Sequence, residues 1–160
     1  MKASNVLSVA TVAVLSLALV ACSEASGSTT KQLDVTSVDE KATVFQMLDL
    51  GKTGFGPGDQ LVEESPVVDA GGQTLGKALT TAAIISGTGM TDFEAVVDCT
   101  VELAEGHLVF HGGFASKDLA AGAPVPVVGG TGQYAGATGT VMMIAPTDKK
   151  TELKFDLALP

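Results

Sequence analysis

Apolar and polar side chains alternate along much of this chain. At the C-terminus, apolar side chains occupy every second position, namely Leu153, Phe155, Leu157 and Leu159. Residues 97–103 alternate in the same way, and Cys99 is one of the apolar positions. A period of two is typical of a β-strand, in which successive side chains point to opposite faces. The pattern therefore predicts an all-β domain and places Cys99 on its buried side.

Short turn segments, most of them containing glycine, separate eight predicted strands. The strands are predicted at residues 43–50, 59–64, 78–86, 97–103, 107–114, 124–128, 140–145 and 153–159. The chain holds 19 glycines, and glycine permits the tight turns and close backbone approaches that small barrels need. No segment combines a helical apolar period with helix caps. Eight short strands at this spacing predict an antiparallel β-barrel or β-sandwich.

The first 21 residues are predicted to be an export signal peptide. Lys2 gives a positive start, and residues 6–20 form an apolar run interrupted only by small polar residues. Such a run has the length of a signal-peptide core and is short for a membrane span. It ends in Leu19-Val20-Ala21-Cys22, which resembles the lipobox of bacterial lipoproteins. The alternatives are an ordinary secretory signal with a chance cysteine and an uncleaved anchor.

The lipobox resemblance implies cleavage of the chain before Cys22, which then becomes the new N-terminus and is lipidated. Only a thiol can carry a thioether-linked lipid. Residues 22–40 are then predicted to be the lipidated cysteine and a flexible tether, because the stretch after Cys22 is rich in Ser, Thr, Gly and Ala. The β domain is predicted to span residues 41–160. The protein is expected at the cell envelope, outside the cytoplasm, with the lipid anchor as its membrane contact.

Acidic residues dominate the charge. The chain has nine basic and eighteen acidic residues, and loss of Lys2 with the signal leaves eight against eighteen, a net charge of −10. Nucleic-acid binding requires a basic surface, so nucleic acid is excluded as a partner. The acidity also disfavours a protein that lies flat on anionic lipid, and it suits the solubility of an exported surface.

Cysteine and histidine are too sparse to predict a metal site or a disulfide. Once Cys22 carries lipid, Cys99 has no cysteine partner within the chain. His107 and His111 lie four residues apart on a predicted strand, which separates them by roughly 13 Å. No metal or cofactor is therefore predicted. A nucleophilic pair of Cys99 and His111 is disfavoured, because the alternation points them to different faces.

The most distinctive stretch is 126–139, which is written PVVGGTGQYAGATG. Within it, Gly130, Gly132 and Ala135 satisfy the loose dinucleotide-binding pattern. That pattern requires a helix directly after the loop, whose N-terminus receives the pyrophosphate. Here two more glycines and the β-type run 141–144 follow. A nucleotide site is therefore not predicted.

Residues 126–139 resemble a signature that plant dirigent proteins share with allene oxide cyclases and their bacterial homologues. Residues 58–76 and 106–112 are similar to two further stretches of those proteins, and the order holds from about residue 44 to 159. The resemblance implies an eight-stranded antiparallel β-barrel whose apolar cavity steers the cyclisation or coupling of a reactive small molecule. Plant members are often dimers or trimers, so a homo-oligomer is also an expectation of the resemblance.

The resemblance also assigns candidate cavity positions. Gln46 stands where allene oxide cyclases carry a Glu that helps to open an epoxide, and Ser65 stands near a polar residue of the second strand. Ala82 replaces a cysteine that lines the cyclase cavity, and Phe114 replaces a tyrosine. Because these polar groups are changed, a cyclase of the plant kind is not a direct expectation.

Dirigent proteins use cavity acids to protonate a quinone methide, and Glu63, Glu64 and Asp69 lie in the corresponding hairpin. Neighbours on a strand face opposite sides, so only one of Glu63 and Glu64 can enter the barrel. A carboxyl group inside the barrel would have a raised pKa and could donate a proton. The alternative is that all three acids lie on the wet outer face.

Two functions follow as hypotheses. In the first, the barrel binds a small apolar ligand or serves as a structural module of the envelope, without catalysis. In the second, it is an isomerase or cyclase whose candidate residues Gln46, Glu63 and Ser65 face a cavity lined by Ala82, Cys99 and Phe114. Convergence of these side chains on one cavity would favour the second.

Overall fold

The alternating segments form nine antiparallel strands in a computed structural model that describes residues 28–147 and 149–160. Their bounds are β1 Thr29–Ser37, β2 Val44–Leu48, β3 Gln60–Val68, β4 Thr74–Gly89, β5 Asp92–Leu103, β6 Gly106–Ala115, β7 Ala123–Gly130, β8 Thr138–Thr147 and β9 Lys150–Leu159. Three single 3-10 turns occur at Asp39–Lys41, Ser116–Asp118 and Gly132–Tyr134. The predicted signal peptide and Cys22 lie outside the described residues.

Eight of the strands close into a ring. Each strand from β3 to β8 pairs with the next along the chain, β9 pairs with β1, and β1 pairs with β3 through Thr36–Val68 and Ser37–Val67. Every pairing is antiparallel. The fold is thus a closed eight-stranded antiparallel barrel, as the sequence predicts.

The strand that completes the ring differs from the predicted one. β1 lies in the segment 22–40 that was predicted to be a flexible tether, so that prediction is wrong for residues 29–37, and the domain begins at Thr29 rather than at residue 41. Its side chains alternate between the partly buried Leu33 and buried Val35 and Ser37 on one face and Asp34 on the other. Nine consecutive pairs with β9 hold it in the sheet.

The predicted first strand, β2, lies beside the ring. One edge of β3 is covered by two strands in succession. The end of β1 pairs with the second half of β3, the turn Asp39–Lys41 follows, and β2 pairs with the first half. In the described part of the chain, β2 pairs with β3 alone. Its side chains are consequently exposed, apart from the partly buried Met47.

One face of every ring strand is buried in the barrel. The largest fully buried side chains include Tyr134, Phe110, Phe155, Leu108 and Leu157, and the rings of Phe110 and Phe155 meet edge to face with centroids 6.0 Å apart. Burying a side chain of this size stabilises the fold by roughly 1.5–3 kcal/mol. The period-two pattern read from the sequence is therefore the pattern of inward-facing positions.

The barrel has two unlike ends. At the first, here called the terminal end, β1 begins and β9 ends beside the connections 69–73, 104–105 and 131–137. The other, here called the far end, carries the connections 49–59, 90–91, 116–122 and 148–149. The 38–43 connection lies beside the middle of β3, where the N–H of Val38 donates to the carbonyl oxygen of Pro66. Within the described residues, no helix is long and apolar enough to cross a membrane.

Candidate functional site

A row of polar side chains crosses the inner face of three adjacent strands. The register aligns Glu63 of β3 with Thr80 of β4, and Thr80 with Cys99 of β5. Residues directly opposite one another in antiparallel strands share a face. Since Cys99 is 1% exposed and belongs to the main apolar core, the whole row faces the barrel interior.

Hydrogen bonds link this row to its neighbours. Ser65, which is 1% exposed, donates its hydroxyl to Oε1 of Glu63. The Thr80 hydroxyl donates to Sγ of Cys99 at 3.3 Å. Each polar group of the row is therefore hydrogen-bonded to another side chain within the barrel.

A second carboxyl group, that of Asp39, joins the row from the turn that follows β1. The Thr151 hydroxyl donates to Oδ2 of Asp39 at 3.0 Å, and the buried Ser37 two positions earlier lowers the pKa of this carboxyl. Ser37, Asp39, Glu63, Ser65, Thr80, Cys99 and Thr151 are called the interior polar cluster below. Ser37, Asp39 and Thr151 lie at the far ends of β1 and β9, whereas the other four lie toward the middle of β3, β4 and β5.

Both carboxyl groups of the cluster are weaker acids than usual. Burial raises the pKa of Glu63, and the charge of Asp39 raises it further, whereas the hydrogen bond from Ser65 opposes the rise. Burial likewise raises the pKa of Asp39, against hydrogen bonds from Thr151 and Ser37. Both groups are only partly buried. Each is thus suited to hold a proton and to release it to a neighbouring ligand atom.

Cys99 is the least acidic of the three titratable groups in the cluster. Burial raises the pKa of its thiol to about 12; the Thr80 hydrogen bond opposes the rise, and the charges of Asp98 and Glu63 add to it. A thiol with this pKa stays protonated at neutral pH and is a poor nucleophile. It can line a cavity, but it does not suit covalent catalysis.

The cluster meets solvent beside β2. Phe45 is aligned with Glu63 and shares its face, yet it is 59% exposed, because β2 lies outside the closed ring. Farther toward the far end, the rings of Phe55, Phe93 and Phe114 stack edge to face in a chain, with centroid separations of 5.5 and 5.9 Å. These three rings pack against a small apolar cluster formed by Ala82, Ile84 and Ala95.

The structure brings together some of the predicted site residues. Glu63, Ser65 and Cys99 belong to the interior polar cluster. Ala82 is buried in a smaller apolar cluster against which Phe114 packs, so both lie on the interior side next to the polar groups. Gln46 does not converge with them, since it is exposed on β2 and aligned with Val62 of the outer face.

Two predicted acids have roles outside the barrel. Glu64 accepts a hydrogen bond from Thr43 at 2.8 Å and pairs with Lys77 at 3.3 Å on the outer face. Asp69 accepts bonds from the backbone N–H groups of Gly71 and Gln73, both at 2.8 Å, and so shapes the β3–β4 turn. Of the three acids in this hairpin, Glu63 is therefore the one that enters the barrel.

Asp39 and Thr151 were missed by the sequence analysis. Thr151 is 112 positions from Asp39, and the two meet only because β1 closes the ring against β9. Asp39 lies within the segment predicted to be a tether, so the sequence offered no reason to place it inside a barrel. The alternation of β1 could have revealed that strand, but not this contact.

The outer face carries a shallow groove of about 340 Å³. Most of its lining side chains occupy outward-facing positions of β2 to β5, namely Val44, Val62, Glu64, Leu79, Thr81, Asp98 and Thr100. A second depression of about 270 Å³ lies between Ile85 and Phe114 along β4, β5 and β6. Glu63 and Thr80 also line the first groove, although the alternation points their side chains to the inner side of the sheet.

The histidines remain apart from the cluster. Nδ1 of His111 lies 3.5 Å from Oδ2 of Asp98, and both side chains are more than half exposed on the outer face. Among residues 28–147 and 149–160, no three His, Cys, Asp or Glu side chains lie close enough to hold a metal ion.

A closed ring of eight antiparallel strands around an apolar core defines the class of small antiparallel barrels. Residues 29–159 match the family described as the allene oxide cyclase barrel like domain, and the chain belongs to this family. The resemblance inferred from residues 126–139 is thereby confirmed for the barrel. No functionally curated protein matches the chain.

Solved structures show the same fold. A pyocyanin demethylase is 25% identical, with a TM-score of 0.61 over 79% of this chain and 99% of that one. A pterocarpan synthase dirigent protein is 16% identical, with a TM-score of 0.62 over 81% and 94%. A Diels-Alderase from Streptomyces koyangensis is 14% identical, with a TM-score of 0.62 over 85% and 71%.

Proposed function

We propose that the barrel binds a small, largely apolar molecule beside the interior polar cluster and promotes its isomerisation or cyclisation by donating a proton from Glu63. The observation that carries this proposal is the pair of inward-facing carboxyl groups with raised pKa values. The names of the structural relatives, a demethylase, a dirigent protein and a Diels-Alderase, support a small molecule as the ligand.

The proposed step is acid catalysis on an acid-labile oxygen of the ligand. The Glu63 carboxyl gives its proton to that oxygen, and the electron pair of the breaking C–O or C=O π bond moves onto the oxygen. The Glu63 carboxylate then takes up the proton that the rearranged product releases, so the reaction is an isomerisation without an external reductant or oxidant. Ser65 stabilises the carboxylate while the proton is on the ligand.

A second candidate is binding without catalysis. In the described part of the chain, every buried side-chain nitrogen and oxygen already has a hydrogen-bond partner, and the two depressions described above lie on the outer face. These observations favour a barrel that holds a ligand or serves as a stable envelope module. The two candidates differ in whether Glu63 is needed for a chemical change.

The test begins with native mass spectrometry of the Cys22→Ser protein, purified from its host without detergent. An added mass that denaturation releases would identify the ligand, and the same spectrum reports whether the barrel is a monomer, dimer or trimer. Incubation of that ligand with the protein should yield an isomer, and Glu63→Gln should abolish the conversion. Glu64→Gln is the matched control, because its side chain lies on the outer face of the same strand. A ligand that returns unchanged from every variant would favour the binding module.

We also propose that Cys22 carries the lipid that holds the barrel at the outer side of a bacterial membrane. The lipobox-like residues Leu19 to Cys22 support this proposal. Replacement of Cys22 with Ser should move the protein from the membrane to the soluble fraction and abolish labelling with radioactive palmitate. A Cys22→Ser protein that keeps both the label and the membrane location would refute the anchor.

A further inference from the structure

The outer edge of β2 is unprotected. β2 pairs with β3 along one side, and among residues 28–147 and 149–160 no strand pairs with its other side. Four of its five residues are exposed, so the N–H and C=O groups of that side are open to solvent. Such a row of unpaired groups is a template for another strand. β2 also lacks the usual protection of an edge, since its sequence VFQML contains no charged residue and no proline.

Apolar side chains are exposed on both faces of β2. Val44 and Leu48 are 41% and 37% exposed on the outer face, and Phe45 is 59% exposed on the inner face. Met47 lies on the same face as Phe45 and is partly buried. Large apolar side chains beside an unpaired backbone are typical of a surface that accepts a partner strand. The best partner is therefore an extended segment that is apolar on both of its faces.

β2 itself is such a segment, because it is self-complementary when two copies run antiparallel. With a two-fold axis between the strands at Gln46, each Gln46 lies opposite the other. In that register Val44 lies opposite Leu48 on the outer face. Phe45 lies opposite Met47 on the inner face, and the two Gln46 amides can hydrogen-bond to each other. A shift by two residues would instead place Gln46 opposite Val44 or Leu48.

The charge pattern permits two copies to meet at this edge. The chain has a net charge of −9, so most surfaces of two copies repel each other. Residues 42–48 are uncharged, and Asp49 is the first acid after β2. In the self-complementary register Asp49 lies opposite Thr43 of the other copy. The two Asp49 residues are then six positions apart along the strands, which is roughly 20 Å.

We infer that two copies of this chain pair through β2 into a two-fold dimer with a continuous antiparallel sheet across the interface. Phe45 is aligned with Glu63 of the same copy, and the pairing places Met47 of the second copy on the other side of Phe45. The second copy thus adds an apolar side chain where the interior polar cluster meets solvent. The inference depends on neither the lipid anchor nor the Glu63 proton transfer, and it gives Gln46 a role at the two-fold axis.

Single cysteines test whether two copies meet at Gln46. The Cys22→Ser protein is used, because its remaining thiol, Cys99, is buried. Residues directly opposite in an antiparallel pair have Cα atoms about 4.5–5.5 Å apart, which a disulfide can bridge. We expect Gln46→Cys to form a disulfide-linked dimer under mild oxidation. Gln133→Cys, which is exposed at the terminal end, is the matched control and should stay monomeric on a non-reducing gel.

Two further cysteines test the register. In the inferred dimer two copies of residue 44 are four positions apart along the strands, which is roughly 13 Å, and the same holds for residue 48. Val44→Cys and Leu48→Cys should therefore each form few disulfides alone, whereas a mixture of the two proteins should cross-link. Equal cross-linking of positions 44, 46 and 48, each alone, would indicate random collision and would overturn the register.

A charge at the axis tests the association without a covalent bond. Gln46→Lys places two like charges opposite each other, so we expect it to weaken dimerisation about tenfold or more. Sedimentation velocity over a hundredfold range of concentration measures this in the Cys22→Ser protein, with Gln133→Lys as the control of equal charge. A parent protein that is monomeric throughout would overturn the inference and leave β2 to a strand of another protein. A trimer, or a dimer that does not cross-link at position 46, would also overturn it.

Discussion

Ser65 donates a hydrogen bond to the Glu63 carboxylate two positions before it on β3. The two side chains meet because residues i and i+2 of a strand share a face, and here that face is the barrel interior. The bond favours the charged form of Glu63, whereas burial and the charge of Asp39 favour the protonated form. The pKa of Glu63 therefore depends on opposing contacts, and each contact can be removed by a separate substitution.

Removal of the Ser65 hydroxyl should raise the pKa of Glu63 further. In Ser65→Ala, burial and the charge of Asp39 remain, while the hydrogen bond that stabilises the carboxylate is lost. The shift is measured by NMR titration of the Glu63 side-chain carboxyl carbon. Ser86→Ala is the matched control, because Ser86 bonds Glu94 in an exposed pair near the β4–β5 turn. An unchanged or lowered Glu63 pKa in Ser65→Ala would contradict the assigned contact.

Glu63→Gln should stabilise the protein near neutral pH and lose that advantage in acid. The pKa of Glu63 is raised in the folded protein, so its contribution to stability is present below the unfolded pKa and is lost as the pH rises through the folded pKa. The glutamine removes the burial cost of the charge and keeps an oxygen that can accept from Ser65.

The expected gain is on the order of 1 kcal/mol or less, since partial exposure screens the charge. The gain is measured by urea unfolding of the Cys22→Ser protein with and without Glu63→Gln, at pH 7.5 and at pH 4. A variant that is less stable than its parent at pH 7.5, or a difference that is the same at both pH values, would contradict the burial of this carboxyl.

The Cys99 thiol should resist modification in the folded protein. Its pKa of about 12 leaves very little thiolate at pH 8, and the side chain is 1% exposed. A disulfide-exchange reagent such as Ellman's reagent should react with it only after unfolding. Rapid, stoichiometric labelling of the native Cys22→Ser protein would show that the interior beside Thr80 opens readily, and it would remove the argument against a nucleophilic role.

The period-two pattern predicts most of the strands, and it fails for β1, where small polar residues obscure the alternation. Seven of the eight strands in the ring were predicted, because one face of each is apolar. β1 was missed, since the stretch Ser23–Thr30 before it is rich in small polar residues and the inward position at its end is Ser37 rather than an apolar residue. The predicted 43–50 strand exists as β2, but it pairs along one edge only, which no local pattern reveals.

The candidate site depends on the register of the strand pairs and on the closure of the ring. The alternation shows that only one of Glu63 and Glu64 can face inward, and the choice needed the pairing of β3 with β4. Gln46 was proposed from the family resemblance, yet the register aligns it with the outer face. The contact between Asp39 and Thr151 requires the closed ring, so a sequence-based prediction had no route to it.

The glycine-rich signature supplies a last prediction that separates close packing from backbone freedom. Gly129 and Gly130 are adjacent at the end of β7. A Cβ atom on Gly130 would lie 2.5 Å from the carbonyl oxygen of Tyr134 and 2.7 Å from that of His107, whereas a Cβ atom on Gly129 would have no heavy atom within 4 Å. The first separation is shorter than side-chain carbons tolerate, and both neighbours are backbone that cannot rotate away.

We therefore expect Gly130→Ala to lower the free energy of unfolding by about 2 kcal/mol or more, because the 131–137 connection must move to admit the methyl group. Gly129→Ala should change it by less than about 0.5 kcal/mol. Urea unfolding of the two variants in the Cys22→Ser background compares them directly. Similar losses in both variants would mean that the backbone freedom of glycine is what this corner requires. A loss confined to Gly130→Ala would show that the small size of Gly130 lets the 131–137 connection pack against β6.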